Sequence, residues 1–245
     1  MTLDFNLNNK SFFIGKFYKY LIFFDPFLAA IGIILYLYPK TWHYNADKKE
    51  DYGVSIRENL CRSEEGVRVD DVLETINHFR CFDMIIDHAT DRLSESFIKD
   101  LHRELKLSTS DSQKDWFRIG DYKKLPNEVG GIATCPPEEV HTQMKALLSE
   151  YNQKKCHALD DIIDFHQRFE VIHPFQDGNG CVGRLVMFKE CLASAIVPFI
   201  ITEEFKMFYY RGLHNWPAIK NYMQDTCLTA QDNYKALLDY FKIKY

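Results

Sequence analysis

Eight consecutive residues, His173-Pro174-Phe175-Gln176-Asp177-Gly178-Asn179-Gly180, put a titratable base, a hard oxygen donor and a glycine-rich turn into one short segment. His173 stands at the end of a helical pattern, where a neutral imidazole can accept a proton near pH 7. Asp177 is suited to Mg²⁺, an ion that keeps waters and bridges substrate phosphates. Gly178, Asn179 and Gly180 let the backbone curl so that successive N–H groups face an anion, and the helix that resumes after them adds its dipole. Arg184, one turn into that helix, can take phosphate oxygens bidentately. Together these residues point to chemistry on a nucleotide's phosphates. Phe175 is the apolar anchor that pins the loop to the core. His166 shares a helical face with His173, seven residues away, and is expected to be a core or supporting residue; a metal-binding pair with Asp177 as third ligand fits less well with helical zinc spacing.

The elements that must position this loop are mostly helical. Asp70 or Asp71 can cap a helix carrying Val72, Ile76, Phe79, Met84 and Ile85, and Ser94 starts another carrying Phe97, Ile98, Leu101 and Leu105. Ser108 to Pro136 breaks the period with Gly120, Pro126, Gly130 and Gly131, which predicts a loop and a short β-hairpin. Pro137 suits the first turn of a helix through Val140, Met144, Leu147 and Leu148. Leu159, Ile162, Ile163, His166 and Phe169 line the helix that delivers His173; Val182, Leu185, Val186, Phe188 and Leu192 line the next. Three further helices are expected near Glu203–Leu213, Ala218–Thr226 and Leu228–Lys242. The expected class is all-α with a small β-hairpin flap.

At 245 residues, rich in Phe (19) and Tyr (14) and poor in Gly (11), the chain can bury a full core. A formal charge of −5 with no basic run argues against a nucleic-acid partner. The seven scattered cysteines form no Cys-x-x-Cys pair and read as reduced thiols of a cytoplasmic protein. Residues 1–45 form an atypical segment in which Phe27 to Tyr38 is apolar. That run is shorter than the roughly 20 residues of a spanning helix, so a docked helix is favoured while membrane association stays open.

From His173 to Arg184 the chain resembles the Fic family (filamentation induced by cAMP), whose signature reads His-Pro-Phe-x-Asp/Glu-Gly-Asn-Gly-Arg-x-x-Arg. The resemblance extends through Ile162–Phe169 before the motif and Leu185–Phe188 after it, and residues 46–245 are identified with the domain. It implies a Fic-type helical bundle that transfers AMP from ATP onto a Ser, Thr or Tyr hydroxyl of a target protein, with Mg²⁺ as cofactor. On this reading His173 is the base and Asp177 holds Mg²⁺. Phe175, Gly178, Asn179, Gly180, position 181 and Arg184 bind the nucleotide, and the flap at Val129, Gly130, Gly131 and Ile132 clamps the target by strand addition. A homodimer is one arrangement the resemblance leaves open.

One position departs from the signature: Cys181 stands where the family has its first arginine. Losing a charge-assisted hydrogen bond of about 1.5–3 kcal/mol predicts ATP use weakened roughly 10- to 1000-fold. A helix N-terminus can also give Cys181 thiolate character, which would oppose phosphate. A degenerate Fic fold that binds a nucleotide or partner without turnover, and a relative using another phosphate-linked donor, are the alternatives. The family's inhibitory helix has a counterpart at residues 55–66, where Cys61-Arg62-Ser63-Glu64-Glu65-Gly66 would present Glu65 to Arg184. A solvated acidic turn is the competing reading.

Overall fold

The computed structural model describes residues 69–240, 242, 244 and 245. The N-terminal apolar segment, the boundary near residue 45 and Glu65 with its proposed inhibitory helix lie outside the described residues. Among the described residues there are seven α-helices and one two-stranded antiparallel sheet, and no helix is long and apolar enough to cross a membrane.

The helices are α1 (Val69–Asp87), α2 (Glu95–Leu105), α3 (Pro137–Tyr151), α4 (Leu159–Ile172), α5 (Asn179–Ala193), α6 (Lys206–Asn215) and α7 (Lys220–Tyr240). Helix α2 begins as its sequence predicts: Ser94 Oγ accepts the N–H of Phe97 at 3.2 Å, and Ile98, Leu101, His102 and Leu105 form one buried stripe. Helix α3 has Pro137 in its first turn and buries Val140, Met144, Leu147, Leu148 and Tyr151. Helix α5 is different, because Val182, Gly183, Leu185, Val186, Met187, Phe188, Lys189, Glu190 and Cys191 are all buried. A helix covered on nearly every side is the central one. It packs on α4, α1 and α2, so the motif at its N-terminus is fixed by the middle of the core.

Strands β1 (Glu128–Val129) and β2 (Ile132–Ala133) pair with Val129 opposite Ile132. Gly130 (φ 59°) and Gly131 (φ 79°) connect them, and positive φ at both central residues is what a tight two-residue hairpin demands. Two expectations change at the helix level. The segments expected as separate helices at Ala218–Thr226 and Leu228–Lys242 are one helix, α7. No Gly or Pro interrupts it, and Thr226 and Thr229 return their hydroxyls to the carbonyls of Tyr222 and Asp225 at 2.7 Å, so their polar groups are satisfied within the helix. Asp70 lies inside α1 and, as its carboxylate accepts the N–H of Ser110 at 2.8 Å, ties α1 to the loop after α2.

Candidate active site

Helix α4 stops at His173, which adopts left-handed geometry (φ 51°, ψ 62°) and donates its N–H to Phe169 O at 2.9 Å. That turn swings the chain out of the helix and into the loop. Phe175 then drops into the core, fully buried, with its ring stacked on His102 at 3.9 Å and tilted against Tyr122 and Phe169. Asn179 closes the loop as a clip: its Oδ1 accepts the Phe175 N–H at 2.7 Å and its Nδ2 donates to Phe175 O at 2.9 Å. Its side chain thus holds the loop and leaves the backbone N–H groups for an anion. Gly178 takes φ 79°, and the first helical bond of α5 runs from Val182 N–H to Gly178 O. The N–H groups of residues 179–181 therefore stand at the open end of the helix, the arrangement that binds phosphates elsewhere.

Helix α2 grips this loop from beneath through two residues one turn apart. His102 accepts the Gly120 N–H at Nδ1 (2.9 Å), so its Nε2 carries the proton and donates to Asp177 O at 3.2 Å. Burial keeps this imidazole neutral, with a pKa of about 4. Lys106, only 2 % exposed, hydrogen-bonds Asp177 Oδ2 and reaches Glu74 Oε1 of α1 at 2.7 Å. Burial alone would pull the ammonium's pKa down; the bonds to Asp177 and Glu74 outweigh it, and the group ends above its ordinary value. Asp177 mirrors this: burial pushes the carboxyl up, the Lys106 bond pulls harder, and it ends below the usual carboxylate range.

The catalytic-side cluster is built from α4, α5 and α6. Glu170 Oε2 lies 3.9 Å from His173 Nδ1, and its Oε1 is 3.9 Å from His166 Nε2. Gly183 makes room for them, since a Cβ there would meet Glu170 Oε1 at 2.7 Å and the His166 ring at 2.9 Å. Burial raises Glu170 to about 7, opposed by the nearby Arg184 guanidinium. His166 Nε2 pairs with Tyr209 OH at 2.5 Å, and burial lowers its pKa to about 3, so the ring is neutral and braces Tyr209. Arg184 folds back over the turn: one terminal nitrogen is 3.1 Å from the position a Gly180 Cβ would take, the other 3.8 Å from Cys181 Sγ. Burial lowers the pKa of His173, keeping a free base at neutral pH.

Cys181 is half-buried, and burial pushes its thiol pKa up, so the anticipated thiolate character is absent and the residue is neutral. The flap is bolted to the loop. Lys123 N–H donates to Pro174 O (2.8 Å), Leu125 N–H to Gln176 Oε1 (3.2 Å) and Asn127 Nδ2 to Phe175 O (3.0 Å). Val129 and Ile132 are exposed beyond that base. Sequence patterning missed Glu74, His102, Lys106, Lys123 and Glu170. The spacing of His102 and Lys106, one helical turn apart beside an apolar stripe, was the only local sign of the α2 grip.

The fit of Mg²⁺ can be tested on the donor set. No cluster of three His, Cys, Asp or Glu able to hold a metal occurs among the described residues, and one oxygen of Asp177 is already bonded to an ammonium. These residues do not make a resident metal site.

Residues 92–191 match the Fic/DOC family, and this stretch is a Fic domain. Its relatives include the protein adenylyltransferase fic-1 of Caenorhabditis elegans, 28 % identical over 165 residues, which cover 66 % of this chain and 30 % of that protein. A probable protein adenylyltransferase of Aquifex aeolicus is 42 % identical over 69 residues, 27 % of this chain and 22 % of that one. The chain thus spans less than a third of the length of these relatives. Among solved structures, a Fic domain-containing signalling protein of Bacteroides thetaiotaomicron superposes with a TM-score of 0.60 at 24 % identity, covering 77 % of each chain. C. elegans Fic-1 superposes at 0.59 and 19 %, covering 78 % of this chain and 57 % of that one. These likenesses establish the Fic fold.

Proposed function

We propose that this chain is a protein adenylyltransferase that moves AMP from ATP to a Ser, Thr or Tyr hydroxyl of a target protein. The observation that carries the reading is the placement of a neutral, partly buried His173 at the edge of a loop whose other end is the open N-terminus of α5. With its Nδ1 side toward Glu170, the ring offers Nε2 to the target hydroxyl. As that proton passes to His173, the hydroxyl oxygen bonds to the α-phosphorus, and the bond to pyrophosphate breaks with its electron pair leaving on pyrophosphate. The N–H groups of residues 179–181 and the Arg184 guanidinium offset the charge on the phosphates. The catalysis is positioning and electrostatics in a pre-formed site. A cytoplasmic location belongs to the same reading, supported by the six described cysteines being free thiols.

The direct test is incubation of the purified chain with α-³²P-labelled ATP and cell lysate: label on protein supports transfer, and its absence at every metal and nucleotide condition refutes it. A second reading, a Fic fold that binds without turnover, is favoured by the neutral Cys181.

Two smaller predictions belong here. Because burial lowers the His173 pKa, the base form persists into mild acid. The acid limb of the rate profile should therefore fall below the ordinary histidine value of about 6.5. A limb at or above that value would assign the base elsewhere. Ile132→Asp places a charge on the exposed flap edge that would meet an incoming strand. It should raise KM for a protein target about tenfold while ATP affinity stays unchanged, since sheet-edge pairing supplies the docking. Equal losses in both would show that the flap does not meet the target.

A further inference from the structure

We infer that Lys106 is the resident cation of the phosphate loop, and that its ammonium takes the position a divalent ion would need on Asp177. Two carboxylates from separate elements, Glu74 of α1 and Asp177 of the loop, converge on one point, and Lys106 Nζ occupies it, 2.7 Å from Glu74 Oε1 and hydrogen-bonded to Asp177 Oδ2. A third carboxylate, Asp111 Oδ2, stands 4.0 Å away. Such a convergence of oxygens attracts a cation. Here the cation is covalently part of the chain.

The placement is built into the fold. The Lys106 stem runs directly under the loop, with Cε 3.1 Å from the position a Cβ at Gly178 would take and with the Leu105 and His102 side chains beside it. His102, one turn earlier on α2, holds the backbone of the same residue that Lys106 holds by its side chain. Asp177 is thus held by both its backbone and its side chain, while its carboxylate stays open to solvent on the other side. Lysine is almost never this buried unless paired, and here it has carboxylate partners on both sides. Mg²⁺ also asks for near-octahedral oxygen geometry and sheds water reluctantly. An ammonium asks only for acceptors around three donors.

Charge accounting supports the assignment. With Lys106 present, Glu74 and Asp177 meet approaching phosphates as a bridged ion pair with one residual negative charge. Without it they would be two bare carboxylates, repelling phosphate and attracting a divalent ion. The nucleotide part of this inference rests on the transferase reading above, but the metal part does not, and the experiment separates them.

The test uses the full-length chain, its Lys106→Met and Lys106→Arg forms, and Asp177→Asn in the wild-type and Lys106→Met backgrounds. Folding of each is checked by circular dichroism. Mn²⁺ is titrated first without nucleotide and followed by electron paramagnetic resonance. The expected result is no Asp177-dependent Mn²⁺ site in the wild type or in Lys106→Arg, and one new site in Lys106→Met that Asp177→Asn removes. An Mn²⁺ site in the wild type that Asp177→Asn abolishes overturns the inference, even if Lys106→Met fails to fold. So does a folded Lys106→Met that gains no site. In the second arm ATP affinity is measured in Mg²⁺ and in EDTA. The ratio of the two should rise at least about tenfold in Lys106→Met over wild type, since bare carboxylates then depend on a metal; an unchanged ratio counts against the inference. If no form binds ATP under any condition the nucleotide reading falls, and the Mn²⁺ titration alone decides the place of Lys106.

Discussion

His173→Ala should lower AMP transfer by about 10²- to 10⁴-fold, the usual contribution of a positioned general base, and leave ATP affinity within a few-fold of wild type. The groups that face the nucleotide, the N–H groups at the start of α5 and the Arg184 guanidinium, owe nothing to the His173 side chain, because Asn179 and Phe175 hold that turn. The backbone is the one complication. His173 sits at φ 51°, a conformation that costs alanine more than asparagine. His173→Asn is therefore the matched control: it tolerates the left-handed turn, lacks the base, and should be as inactive as alanine with a smaller loss of thermal stability. Transfer that persists in both would remove His173 from the mechanism. Transfer lost only in alanine would make the residue a backbone device and not a base.

The parts of this site legible in the sequence are those that are local. His173 to Arg184 is contiguous, so one turn of α4, one loop and one turn of α5 carry the base, the anion-binding backbone and the arginine, and the same residues pointed to the family. Helix faces on α2 to α4 followed from their apolar spacing because each packs one stripe inward. What spacing could not reveal is long-range. Lys106 and His102 meet Asp177 across 71 and 75 residues of chain, and a lysine at the end of an amphipathic helix reads as a solvated charge until the fold closes over it. Glu170 was similarly opaque: only burial beside Gly183, strong enough to outweigh the opposing charge of Arg184, turns an ordinary helical glutamate into a carboxyl near pKa 7. The thiolate expected of Cys181 failed for a related reason. A helix N-terminus favours the anion, but burial disfavours it more, and burial is a property of the tertiary structure.

Cys181→Arg should raise AMP transfer about 10- to 1000-fold, since each recovered 1.4 kcal/mol is a factor of ten and one charge-assisted hydrogen bond contributes about 1.5–3 kcal/mol. Position 181 lies on the first turn of α5, half-buried, with Arg184 3.8 Å away on one side, and the charges of Glu74, Lys106 and Asp177 also act on its thiol. A neutral thiol there leaves Arg184 as the only cation of the motif itself. Arginine would add a second, and the carboxylates nearby offer a guanidinium something to orient against before the nucleotide arrives. The competing effect is capture: Glu74 or Asp177 could hold the new side chain away from phosphate and loosen Lys106. The two are told apart by a series. Should the arginine reach phosphate, transfer follows Arg above Lys, and Lys above Ser, with Ser near wild type, because lysine gives the charge without the bidentate fork and serine gives neither. Should it be captured, Arg and Lys stay near wild type and the Mn²⁺ behaviour assigned to Lys106 shifts instead. A rise in ATP affinity without any transfer would move the protein to the binding class, with Cys181 no longer the reason for its silence.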